Sequence, residues 1–198
     1  MLGVAPAKAE TQQVELGIFP SEKQGGKSSA PAKAVAFFLR KNKEDYMKVN
    51  TRIFGEIDIE EEKIIVFEGG IIGFPEMTRF TLVHDEEKGV GSGIRWLQSM
   101  QEPNFAMPVM DPLLVKDDYN PEVNDELLEQ AGNVNPDNML VLVTVTIPSD
   151  IKQMSVNLRG PIVINAEEKM ACQIIVDGDE YPVKYPIYEV LQARKAGV

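Results

Sequence analysis

Met139-Leu140-Val141-Leu142-Val143-Thr144-Val145-Thr146-Ile147 is the longest apolar strand candidate in the chain, and it is rich in β-branched side chains. Branching at Cβ costs rotamer freedom in a helix but suits a pleated surface, so the run reads as a central strand. Shorter runs of the same kind surround it. Upstream, Val49, Thr51 and Ile53 alternate with polar residues, as do Ile57 and Ile59. Ile64-Ile65-Val66-Phe67, Phe80-Thr81-Leu82-Val83-His84 and residues 94–97 follow. Residues 105–110 continue in that style but contain Pro108. A proline cannot donate to a ladder, so this run is expected as an edge strand or a bulge. Downstream, residues 162–164 and 170–176 are joined by the polar turn 165–169, and Asp177-Gly178-Asp179 is a tight-turn signal.

Helical periodicity is rare. Residues 122–131 carry it best, with Val123, Leu127 and Leu128 on one face, Pro121 ahead and Gly132 behind. Residues 149–154 read as a short helical turn and residues 190–195 as a short terminal helix. The pattern as a whole predicts a mainly β, antiparallel, single domain. It is a small barrel or sandwich-like structure with one or two short helices and a flexible N-terminal extension.

That extension is residues 1–46. It contains the small-residue stretch Gly25-Gly26-Lys27-Ser28-Ser29-Ala30-Pro31-Ala32-Lys33-Ala34, which is linker-like, and only residues 35–39 form a solid apolar run. It is expected to be disordered, or an upstream reading frame preceding a start at Met47, because Lys43-Glu44-Asp45-Tyr46 can be encoded by a purine-rich ribosome-binding tract. The alternative is a real extension that docks a partner. The β domain then spans residues 47–198.

The chain carries a net charge of −11. Residues 1–46 hold seven basic and five acidic side chains against 20 and 31 in the whole, which leaves the body at −13. Such a body repels nucleic-acid phosphates and favours basic partners. No run approaches the roughly 18 apolar residues of a membrane span, and no secretion signal is evident. The single cysteine, Cys172, excludes an internal disulfide and sits in an apolar run, so it reads as a core residue in a reducing, cytoplasmic setting.

Catalytic patterns are missing. There is one histidine, His84, beside Asp85, which reads as a strand end meeting a turn rather than a catalytic base and its orienting acid. No Cys/His spacing fits zinc. Gly25-Gly26-Lys27-Ser28 lacks the leading frame of a phosphate loop, and Gly89-Val90-Gly91-Ser92-Gly93 lacks the spacing and helix of a dinucleotide loop. No cofactor or metal is expected. The chain has an acidic cluster: Asp111, Asp117, Asp118, Glu122, Asp125, Glu126 and Glu129 against only Lys116. It reads as a solvated face or as a surface that docks a basic partner; its spacing matches no calcium loop.

Three stretches, in this order, carry a family resemblance. They are Gly-Ile-Ile-Gly-Phe-Pro-Glu-Met-Thr-Arg-Phe-Thr-Leu over 70–82, Trp-Leu-Gln-Ser-Met-Gln-Glu-Pro-Asn-Phe-Ala-Met-Pro-Val-Met-Asp-Pro over 96–112, and Ser-Val-Asn-Leu-Arg-Gly-Pro-Ile-Val-Ile-Asn over 155–165, with Gln173 following. Together they resemble the FliW family of flagellar assembly factors across essentially all of residues 47–188. The family often has proline where Ile72 stands, and usually Thr-Ala-Asn-Leu where this chain has Ser155-Val156-Asn157-Leu158. Gly70 and Gly73 read as turn formers, Phe74 and Phe80 as core anchors, and Asn157 and Asn165 as caps for loop backbone. Trp96 and Leu97 alternate, so one of them must face away from the core.

The resemblance implies no enzyme. It implies a protein that binds CsrA, an RNA-binding translational repressor, and so releases flagellin messenger RNA for translation, and that also binds flagellin in a chaperone-like way. A flagellin secretion chaperone without CsrA antagonism is the alternative, and a small hydrolase a remote one. Candidate partner-binding residues are Asp117, Asp118, Tyr119 and Glu122, with Trp96 as an aromatic anchor.

Overall fold

The computed structural model describes residues 13–15, 46–83 and 93–195. His84, Asp85, residues 89–92 and nearly all of residues 1–46 lie outside the described residues, and so do the expectations placed on them. In chain order the strands are β1 (Gln13–Glu15), β2 (Tyr46–Thr51), β3 (Gly55–Glu60), β4 (Ile65–Val66), β5 (Arg79–Val83), β6 (Ile94–Ser99) and β7 (Ala106–Met110). They continue as β8 (Glu122–Asn124), β9 (Met139–Thr146), β10 (Ser155–Val156), β11 (Ile162–Asn165), β12 (Ala171–Gln173) and β13 (Tyr185–Pro186).

The main sheet runs β12-β11-β9-β7-β6-β5-β4, with every neighbour antiparallel; β10 adds to β9, and β13 to β10. As its sequence requires, β9 is central, pairing with β7, β10 and β11. The two ends of the sheet meet in a parallel bridge between Val66 and Met170, and the Val66 N–H donates to Lys169 O at 2.8 Å. This single contact curls the sheet into a small barrel, the first of the two expected architectures. At the bridge itself this contact covers strand edge that would otherwise invite aggregation.

Strand alternation sorts the side chains into two cores. Ile65, Phe80, Leu97, Val109, Leu142, Ile162, Ile164 and Ala171 face inward and fill the barrel. The opposite parity, including Met110, Val141, Val143, Val145, Val163 and Cys172, forms an outer layer. That layer is covered by Leu128 and Ala131 and by the C-terminal helix Tyr188–Lys195, whose Leu191 packs on it. Each fully buried Leu, Ile or Phe contributes about 1.5–3 kcal/mol. The β2–β3 hairpin packs Val49 and Ile59 on Ile64, and its Phe54 meets Trp96 edge-on at 6.2 Å. Leu97 therefore belongs to the barrel and Trp96 to its outside.

Three expectations require correction. Residues 122–131 are not one helix: Glu122–Asn124 is a strand paired with Gln13–Glu15, Asp125–Leu128 is a single α-turn, and Glu129–Ala131 is 3-10. Only Val123, Leu128 and Ala131 are buried there, too few to hold a long amphipathic helix, while the periodic Leu127 is exposed. Next, β7 is an interior strand despite Pro108. Its pairing with β9 begins only at Val109, so the proline sits where no β9 partner asks for its missing N–H. Phe74, finally, is 39% exposed and leans on Phe105 at 4.8 Å, whereas Phe80 is fully buried. A tight turn between Ile71 and Phe74, bridged by two backbone hydrogen bonds, holds Phe74 at the surface.

Candidate docking surfaces

The acidic stretch splits on folding. Asp111 turns inward: its carboxylate accepts from Leu113 N at 2.8 Å and caps the 3-10 turn Pro112–Leu114. Burial pushes its carboxyl above the usual range, opposed by the Leu113 N–H and by Arg95 and Arg194. Asp117, Asp118, Glu122, Asp125, Glu126 and Glu129 remain exposed. Lys116 Nζ bonds Asp118 at 2.5 Å, which holds the Asp118 carboxyl below its ordinary range. Asp125 and Glu126 occupy the first turn of their helix, where the backbone N–H groups favour negative charge.

Tyr119 does not share that surface. It is fully buried, its hydroxyl donates to Leu158 O at 2.7 Å, and its ring meets Tyr181 edge-on at 5.1 Å. Burial drives its hydroxyl pKa well above normal. A large aromatic between acids looks like a contact in sequence, yet here its hydroxyl finds the partner that a buried tyrosine needs. Trp96 is half-buried under Phe54, which places it beneath the β2–β3 hairpin rather than on the acidic stretch. Of the five sequence candidates, the structure leaves Asp117, Asp118 and Glu122 exposed.

The feature that sequence reasoning missed is the barrel's mouth. Followed along their strands, the inward rows leave the core at one end. Leu142 gives way to Thr144 and Thr146, Val109 to Met107, Ile162 to Gly160, and Ala171 to Gln173 and Ile175. These residues line a groove of about 430 Å³, rimmed by Ile72, Ile175 and Val183, which are 52%, 60% and 55% exposed. Gln173 spans the groove wall: its Oε1 accepts from Ile72 N at 3.0 Å, and its Nε2 donates to Gly160 O at 3.2 Å. Asn157 and Arg159 also line it. Arg159 is held by its own contacts, Nε to Tyr181 O at 3.3 Å and Nη2 to Gly178 O at 3.0 Å. Among the described residues no carboxylate lines the groove. The acidic stretch lies on the other side of this wall, because Cys172 points outward and its Sγ meets Leu127 O at 3.4 Å.

Cys172 is buried as expected, and burial pushes its thiol up to about 11. Asn157 and Asn165 also act as read from sequence: Asn157 Oδ1 accepts from Arg159 N, and Asn165 Oδ1 accepts from Glu167 N and Glu168 N. Among the described residues no cluster of His, Cys, Asp or Glu is placed to hold a metal ion, and no helix is long and apolar enough to cross a membrane.

A small antiparallel barrel with an acidic outer stretch and an open, apolar-rimmed mouth defines a class of compact barrel proteins whose distinctive chemistry lies on the surface. The comparisons narrow that class. The profile described as FliW protein matches residues 48–187. The flagellar assembly factor FliW of Lachnospira eligens is 46% identical over 150 residues, 75% of this chain and 99% of that protein. Its counterpart in Lachnoclostridium phytofermentans is 43% identical over 148 residues, 75% of this chain and 95% of that protein. A crystal structure of the flagellar assembly factor FliW superposes with a TM-score of 0.65 at 28% identity, covering 71% of this chain and 96% of that one. This chain belongs to the FliW family of flagellar assembly factors.

Proposed function

We propose that this protein acts in the cytoplasm by binding CsrA, relieving its repression of flagellin messenger RNA, and that it also binds flagellin as a chaperone-like partner. The observation that carries the reading is the exposed acidic stretch from Asp117 to Glu129 on a body of net charge −13, in a chain of this family. A protein that grips RNA is basic where it does so, and an acidic surface steers towards it. Docked beside an RNA site, the acidic body repels phosphates over a Debye length, about 10 Å at 0.1 M salt. Release of RNA then needs no occupation of the RNA groove itself. The role requires no catalytic step.

Calorimetric titration of the full chain into CsrA, alone and with a flagellin messenger RNA leader bound, tests this. Tight binding with RNA release is the expected result. Binding to flagellin without binding to CsrA would instead leave a flagellin chaperone. Asp117→Lys with Asp118→Lys should weaken CsrA binding by about 1 kcal/mol, the scale of one or two exposed ion pairs, and flatten its salt dependence. Unchanged affinity at low salt would remove this stretch from the interface.

A further inference from the structure

Among the described residues the two ends of the barrel sheet meet at one point. Beyond the Val66–Met170 bridge, β4 ends and the chain turns away into residues 68–77, while the strand begun by β12 runs on. Ile174 and Val176 donate their N–H groups to Pro161 O and Arg159 O, at 3.0 and 2.9 Å, so the extended backbone continues to Val176. In an antiparallel ladder alternate residues point their backbone groups to opposite sides. Gln173 and Ile175 therefore aim theirs at the seam, away from residues 159–162. Across that seam the loop reaches Gln173 only through its side-chain amide, and among the described residues the Ile175 backbone makes no hydrogen bond. An open strand edge, a row of half-exposed apolar side chains and the barrel mouth thus coincide.

We propose that this seam is a strand-addition site: an extended peptide segment of a protein partner lies alongside residues 173–176 and completes the barrel wall where β4 stops short. Peptides that add to an open edge take affinity from main-chain hydrogen bonds and specificity from alternate side chains. Here the alternate side chains that face inward meet Ile72, Ile175 and Val183 and are apolar. The charge of the site also selects the occupant. In a chain of net charge −11, the described residues that line the groove include one cation, Arg159, and no acid, so the segment carries a carboxylate on its inward row. This chemistry is opposite to that of the acidic stretch on the far side of the wall, and it gives the protein a second docking surface. The proposal rests on the reading of the chain as a factor that docks proteins.

The test is selection of a phage-displayed library of random twelve-residue peptides on the immobilised full chain, followed by fluorescence anisotropy with the recovered sequences. The expected result is a consensus of alternating apolar residues with an Asp or Glu. Its affinity should fall at least tenfold against Ile175→Lys and Val183→Lys, and at least tenfold when alternate peptide amides are N-methylated. Both replaced residues are more than half exposed, and an unchanged melting curve verifies the fold of each variant. Apolar residues spaced as on a helix would overturn the proposal. So would a basic consensus, indifference to N-methylation, full binding to both variants, or no enrichment at all. Titrating CsrA and flagellin into the same wild-type chain separates the two failures: binding there with a negative peptide result removes only the seam, and silence from both partners removes the proposed function.

Discussion

The interior of the barrel and its mouth are built from the same strands and the same inward rows, yet they differ in almost every physical respect. Leu142 is fully buried, and Thr144, two residues on, lines open space. Ala171 is sealed, while Ile175, four residues on in the same row, is 60% exposed. Alternation decides which face a side chain takes, but the reach of the neighbouring strand decides whether that face is covered. At the mouth the neighbours stop early: β4 has two residues, and β7 meets β9 only at Val109 and Met110.

The contrast is sharpest when the interior is damaged. Leu142→Ala should cost about 2–5 kcal/mol, the usual price of a core cavity, read as a lower urea midpoint with an unchanged slope. A loss below about 1 kcal/mol would mean that this part of the barrel is loosely packed. The rim loop should respond next. Gly70 has φ +68°, and a Cβ there would lie 2.5 Å from Pro75 O. Gly70→Ala should cost roughly 1–3 kcal/mol and disturb Phe74, which the same turn displays.

The outer side of β12 gives a pH-dependent effect of similar or smaller size. The folded Cys172 thiol titrates near 11, above its ordinary 9.0. Between those values the native state keeps a proton that the unfolded chain loses, so stability falls as pH rises through that window, by about 1–3 kcal/mol. Cys172→Ala should flatten that part of the profile, measured by urea melts from pH 8 to 11. The mouth should be nearly indifferent: Ile175→Thr is expected within about 0.5 kcal/mol of wild type. A larger loss would show that the rim is part of the core.

Much of this was legible in the chain. Residues 139–147 announced a central strand because β-branching and length agreed, and the turns at 165–169 and 177–179 were marked by polar and glycine residues. Pro108 misled because a proline excludes one ladder bond, not a place in the sheet, and no local pattern says which side of a strand goes unpaired. Residues 122–131 misled because their periodicity was real but their burial is shallow. The acidic stretch could be read as composition, although only the fold showed that Asp111 and Tyr119 leave it. The mouth was invisible because it depends on where separate strands end relative to one another, which no single segment encodes.

The bridge that closes the barrel joins positions about a hundred residues apart, Val66 and Met170. During synthesis β4 and β5 emerge long before β12 exists, so the wall cannot be sealed until most of the chain has left the ribosome. Contacts of this separation slow folding, because the loop entropy must be lost before the contact rewards it. Between the emergence of β5 and that of β12 a nascent chain of this protein therefore carries an unfinished sheet with an open edge, exposed to whatever else in the cell can pair with a strand.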